Sequence, residues 1–194
     1  MFQFDYMHTL YFITGNKGKV FEATEKFKPL QITIEQKNLG YPEIQTDTLE
    51  NVAKYGLNHL ISQGIDHPFI LEDAGIFIDN LKGFPGVYSS YVYHTIGLKG
   101  ILNLLAKSTN RDAYFKSVFA YATPKGNMQL FIGECKGTII YEEKGTGGFG
   151  FDPIFKPNES NETFAEMNIE EKNKISHRGK SLEKLYQYLK KELK

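Results

Sequence analysis

The chain is poor in several things, and each shortage excludes something. It has a single cysteine, Cys135, so no intrachain disulfide can form and a reducing, cytoplasmic setting is expected. Cys135 lies in the strand-like run "LFIGECKGTII" and reads as a structural thiol. No apolar stretch reaches the roughly 18 residues that a membrane span needs. The first residues carry Asp5 and His8 where a signal peptide would have a basic start and a smooth apolar core, so none is expected. Neither sign of charge is in excess: 23 Lys and Arg stand against 23 Asp and Glu. That balance argues against a general nucleic-acid binder, although a local group of cations could still hold a small anion. His8, His59, His67 and His94 fall in no metal-ligating spacing, which speaks against zinc. Repeats, low-complexity tracts and linkers are absent as well, so one domain is expected over residues 1–194.

What is present is a sizeable apolar fraction, 41%, in patterned segments. Leu10–Thr14 reads as a strand. Lys17–Lys28 reads as a helix with Val20, Ala23, Thr24 and Phe27 on one face, stopped by Pro29. "LQITIEQ" alternates as a second strand, and "LGYPEIQTD" is a loop. A helix follows with Leu49, Val52, Ala53, Leu57, Leu60 and Ile61 at helical spacing, Thr48 as its cap and Gly64 as its end. "PFILED" is a short strand that stops at two acids, and "GIFIDNL" pairs with it or its neighbours. "LKGILNLLA" is helical. Two long alternating runs, Arg111–Pro124 and Met128–Glu142, are joined by "PKGN" as a hairpin. Ser181–Leu193 is an amphipathic helix. This order, βαβαβ and then antiparallel strands, implies an α/β fold with a mixed sheet.

Four clusters carry chemistry. The loop "TGNKGK", Thr14–Lys19, follows a strand and opens a helix, where backbone N–H groups and the helix dipole favour an anion. Lys17 and Lys19 add charge, and Thr14 and Asn16 add hydrogen bonds. The spacing is not that of a Walker loop. The second cluster, Glu72–Asp73–Ala74–Gly75, places two acids at the end of a strand, where α/β proteins put ligands and where carboxylates suit Mg²⁺. Glu43 and Glu50 could reach the same ion. The third, "GTGGFGFDPIF" (145–155), sets two phenylalanines and an aspartate among glycines; exposed rings stack on bases, and a carboxylate reads an N–H edge. The fourth, "EEKNKISHRGKS" (170–181), gathers Lys172, Ser176, His177 and Arg178 ahead of the last helix, and arginine suits a purine O6/N7 edge or a phosphate. Together they supply the contacts of a nucleoside triphosphate site.

These stretches, with "LEDAGIFIDNLKGFPGVYSS" (71–90) and "TFAEMNIEEKNKISHRGKSL" (163–182), occur in one order over most of the chain. In them the chain resembles the inosine/xanthosine triphosphate pyrophosphatase (Ham1-like) family, most closely its archaeal members. The resemblance implies a long twisted mixed sheet flanked by helices, two lobes with a central nucleotide cleft, and a homodimer. It implies hydrolysis of the α–β phosphoanhydride of ITP, dITP and XTP with Mg²⁺, clearing deaminated purines from the nucleotide pool. Carried over by residue, Thr14, Gly15, Asn16, Lys17, Gly18 and Lys19 hold the triphosphate. Glu43 and Asp73 attend the metal, and Asp73 accepts the water's proton or is chiefly a metal ligand. Phe149, Gly150, Phe151 and Asp152 bind the base, and Lys172, His177 and Arg178 complete the nucleotide contacts. Two departures stand out. Ala74 replaces the Ser or Thr of many members, leaving a backbone contact there, and the arginine that bacterial members carry near Tyr91 is missing.

Two other readings compete. One is a Maf-like pyrophosphatase acting on dTTP, UTP or modified pyrimidines, against which "SHRGK" speaks. The other is a non-enzymatic purine-nucleotide or RNA sensor built on Phe149, Phe151 and Arg178; the zero net charge and the acids around Asp73 weigh against it. The expected partner is thus a small nucleotide, with neither nucleic acid nor membrane.

Overall fold

Among the residues that the computed structural model describes, 8–42 and 44–193, six strands form one sheet in the order β2-β1-β3-β4-β5-β6. They are β1 (Thr9–Ile13), β2 (Thr33–Lys37), β3 (Phe69–Ile78), β4 (Asp112–Ala122), β5 (Met128–Ile139) and β6 (Phe155–Pro157). β1 runs parallel to β2, with Thr9 opposite Thr33, and parallel to β3, with Phe12 opposite Ile70. β5 and β6 are antiparallel. The β4–β5 hairpin turns through residues 123–127, where the Thr123 N–H donates to the Asn127 carbonyl at 3.0 Å. The sheet is therefore mixed, and helices flank it: α1 (Lys17–Phe27), α2 (Leu49–Ser62), α3 (Ser89–Thr95), α4 (Gly97–Leu104), α5 (Ile169–Ile175) and α6 (His177–Glu192).

Local chemistry accounts for the helix ends. Thr48 caps α2 by accepting from the Asn51 N–H at 3.3 Å, and Gly64 beyond its C-terminus takes φ +74°, where a side chain would be strained. α1 ends at Phe27 and tightens into a 3₁₀ turn, Lys28–Leu30, because Pro29 cannot continue the α-helical hydrogen bonding.

The chain forms two compact units. The first takes the described residues up to Asp73, Val118–Ile132 and the chain from Ser181 onward. Its core joins Phe12 of β1, Phe27 of α1, Ile70 of β3, Phe119 of β4 and Leu185 of α6. The second takes Ala74–Ser117 and Gly133–Lys180, around Ile76, Ile101, Phe115, Ile139, Phe155 and Phe164. Each such side chain, fully buried, contributes about 1.5–3 kcal/mol of transfer free energy.

Two expectations about elements are corrected. Glu72 and Asp73 do not end a strand: "PFILED" and "GIFIDNL" belong to one strand, β3, which runs straight through the acids. Gly75 permits this, because a Cβ there would lie 2.2 Å from the Gly86 carbonyl oxygen, so only glycine lets the 84–86 turn lie against the strand. The last helix begins at His177, four residues earlier than its apolar spacing suggests. Ser176 starts it by accepting from the Gly179 N–H at 3.0 Å. Among the described residues no helix is long and apolar enough to cross a membrane.

Candidate active site

In the first unit the β1–β3 register determines what lies beside what. Phe12 faces Ile70, and β1 stops at Ile13, so the chain leaves the sheet at Thr14 while β3 continues into Glu72 and Asp73. The acids are therefore mid-strand in β3 yet just past the carboxyl end of β1, the edge at which open α/β sheets bind ligands.

The turn there is held by its own side chains. The Gln36 side-chain amide donates to the Thr14 carbonyl at 2.8 Å, and the Thr14 hydroxyl accepts from the Asn16 N–H at 3.1 Å. Asn16 is the N-cap of α1: its Oδ1 accepts from the Gly18 N–H at 2.9 Å and the Lys19 N–H at 3.2 Å. These two amides are thus engaged by Asn16, where the sequence pattern suggested that they are open to an anion. Gly15, Lys17 and Gly18 are exposed. Lys19 is half-buried, and its ammonium lies 2.5 Å from Glu72 Oε2 and 3.1 Å from the Glu72 carbonyl oxygen. Glu72 is buried, so its carboxylate is matched by a cation where an unmatched charge would be costly. The sequence sets Glu72 beside Asp73 as the second of two acids at a strand end; the structure pairs it with Lys19.

Asp73 is half-buried and accepts from the Tyr41 hydroxyl on Oδ2 at 3.3 Å. Tyr41 was not among the expected site residues; it lies 32 positions from Asp73 in a loop with no period to reveal its partner. Glu43 lies outside the described residues, and Ala74 follows Asp73 on β3. Among the described residues no group of three or more His, Cys, Asp and Glu side chains is set to hold a metal ion. Asp73 offers hard carboxylate oxygens, the donor type that Mg²⁺ takes.

The second unit builds a different surface around the glycine-rich loop. Asp152 is buried, and its Oδ2 accepts from the Phe149 N–H at 2.7 Å and from the Lys172 ammonium at 2.6 Å. Asp152 thereby fastens the loop, a role that an N–H-reading carboxylate does not predict. Gly148 must be glycine: it takes φ +69°, and a Cβ would come 2.2 Å from Asp152 Oδ2. Lys172 is delivered by α5, whose start is fixed by a reciprocal capping box between Asn168 and Glu171.

The two loop phenylalanines differ. Phe149 is 44% exposed, whereas Phe151 is 3% exposed and packs edge-on against Tyr93, ring centres 5.6 Å apart. Phe151 is therefore a core residue, and Phe149 is the ring presented to solvent; Gly150 between them takes φ +63°. The Lys172 ammonium and the Arg178 guanidinium each lie 5.1 Å from the centre of the Phe149 ring, within cation–π range. His177 is buried and stacked on Phe115 at 4.6 Å. Arg178 is buried too, in the first turn of α6. That turn approaches α5 closely: a Cβ at Gly179 would lie 1.8 Å from the Asn173 carbonyl oxygen. This unit therefore offers one exposed aromatic ring backed by two cations.

The Ham1 family model matches residues 10–188. The chain is 54% identical to a dITP/XTP pyrophosphatase of Thermococcus kodakarensis over 95% of its own length and 99% of that protein. It is 50% identical to a dITP/XTP pyrophosphatase of Pyrococcus horikoshii, with 95% and 98% covered. Among solved structures, a HAM1 protein from Coxiella burnetii is similar at TM-score 0.85 and 28% identity, covering 94% of this chain and 98% of its own. The Ham1 protein of Staphylococcus aureus is similar at TM-score 0.82 and 25% identity, with 95% and 99% covered. The motifs, the mixed sheet and these likenesses agree, and the chain belongs to the Ham1 family.

Proposed function

We propose that this protein is a nucleoside triphosphate pyrophosphatase that hydrolyses dITP, ITP and XTP to the monophosphate and pyrophosphate, removing deaminated purines from the nucleotide pool. The observation that carries the reading is the setting of Lys19 and Asp73: a cation from the first turn of α1 and a carboxylate of β3, both at the carboxyl end of β1, in a chain whose near-full-length relatives bear that activity as their name.

Lys17 and Lys19 take the polyphosphate, with Thr14, Gly15, Asn16 and Gly18 shaping the turn. Water cleaves the α–β anhydride: one phosphorus–oxygen bond forms, one breaks, and the pyrophosphate leaves with the electron pair. Asp73 accepts the proton that the water gives up, and Lys19 faces the charge that develops on the leaving group. Glu72 keeps the Lys19 ammonium at that edge. Mg²⁺, when bound through Asp73 and Glu43, supplies charge neutralisation on the phosphate oxygens. Phe149 stacks on the base, Arg178 donates to the 6-oxo group, and Asp152, Lys172, Phe151 and His177 hold that surface in shape. A guanidinium only donates, so it suits O6 and disfavours the 6-amino group of ATP. The protein acts as a cytoplasmic homodimer on this reading, with a small nucleotide as its partner.

The test is a panel of ITP, XTP, dITP, GTP, ATP, dTTP and UTP with Mg²⁺, with pyrophosphate and orthophosphate assayed separately. Pyrophosphate from the 6-oxo deaminated purines supports the reading; preferential turnover of dTTP or UTP would replace it with the pyrimidine-directed one.

A further inference from the structure

We infer that Tyr41 is a positioning residue for Asp73, an inference that rests on the pyrophosphatase reading above. The Tyr41 hydroxyl donates to Asp73 Oδ2 at 3.3 Å. That is long for an O–H···O bond, as contacts to a catalytic group are before substrate tightens them. Tyr41 itself belongs to neither helix nor strand, so something other than backbone pairing must hold its ring.

Gly56 provides the seat. It lies inside α2, where glycine is the poorest helix former after proline and alanine the best. A Cβ at Gly56 would lie 2.8 Å from Tyr41 Cε2, 3.0 Å from Tyr41 Cδ2 and 3.0 Å from Leu71 Cδ2. The helix thus carries an unfavourable residue at the position that faces the tyrosine ring. Leu71 belongs to the same arrangement. It stands two residues before Asp73 on β3, and side chains at that spacing project from the same face of a strand. Gly56 and Leu71 accordingly bound the ring on the face of β3 from which Asp73 projects, and the hydroxyl at the tip of that ring meets the carboxylate.

The consequence is orientational. A carboxylate on a short side chain rotates readily about its terminal torsion. A phenol bonded to one oxygen removes that freedom before the nucleotide arrives. Such preorganisation acts on the reacting geometry and leaves polyphosphate binding, the work of the lysines, largely alone.

Tyr41→Phe keeps the ring in its seat and deletes the hydroxyl. The variant is expected to melt with wild type. Its kcat for XTP should fall about 10- to 100-fold, the range for a hydrogen bond to a charged group, while KM moves less than about twofold. In an Asp73→Asn background the same change should leave the residual rate unaltered, because a residue that acts through Asp73 has nothing left to act through. Wild-type kcat in Tyr41→Phe, a loss confined to KM, or an equal further loss in the Asp73→Asn background would each overturn the role given to Tyr41 while leaving the pyrophosphatase reading intact. A wild-type protein that releases no pyrophosphate from XTP would instead remove that reading, and this inference with it.

Discussion

Asp73 bears the largest share of the proposed chemistry, and it does so from a half-buried position with a tyrosine hydroxyl on one oxygen. Asp73→Asn preserves the shape and removes the base, so kcat at saturating nucleotide and Mg²⁺ should fall about 10²- to 10⁴-fold. A variant that retains wild-type turnover would show that another group takes the proton. Cys135 is the opposite case: fully buried in the second core, with burial pushing its thiol up to about 11. Thiolate is the reactive form, so the native protein should be inert to Ellman's reagent at pH 8 and release its single thiol only in guanidinium; reaction of the folded protein within minutes would contradict this. At this scale the sequence was legible where a residue's task follows from its neighbours in the chain, as with Thr48 capping the helix it precedes. It was not where partners are far apart: Lys19 meets Glu72 across 53 positions, and Tyr41 meets Asp73 across 32. Nor does a glycine-rich loop have a period to tell which phenylalanine turns inward, and Phe149 and Phe151 divide on that point.

Among the elements, β3 and α6 depart from expectation, and for different physical reasons. Two acids and a glycine interrupt the apolar pattern of β3, but the strand continues because its neighbours in the sheet supply the pairing. The first turn of α6 contains His177, Arg178 and Gly179, which read as a connection until Ser176 is recognised as the cap. In β3 a tertiary contact overrides local preference, whereas α6 is started locally by the Ser176 cap. Gly179 adds a tertiary constraint of its own. A methyl group there meets the Asn173 carbonyl oxygen at 1.8 Å, so Gly179→Ala must push α6 off α5. Overpacking of this kind costs about 1–3 kcal/mol. Since a chain of this size loses about 2–4 °C per kcal/mol, a lowered Tm by calorimetry is the expected outcome. An unchanged Tm would mean that the two helices are not in the close contact described.

For the molecule as a whole, the order of elements, strand-helix-strand-helix-strand and then a hairpin, was enough to imply a mixed α/β sheet, because short connections leave few topologies open. The division of the chain into two units was less legible, since three strands and the last helix each contribute residues to both. The equal numbers of acidic and basic residues matter at this scale: a protein without a basic excess has no general attraction for polyanions, so its selectivity for a nucleotide must come from a few placed groups. The measurement that tests the account most directly is product analysis with wild-type enzyme and Mg²⁺, comparing kcat/KM for XTP and dITP with that for ATP. Pyrophosphate and the monophosphate are the expected products, with a preference of about 10⁴-fold over ATP, the discrimination reached by sites that hydrogen-bond their substrate. Orthophosphate as the product, or ATP consumed as readily as XTP, would contradict it.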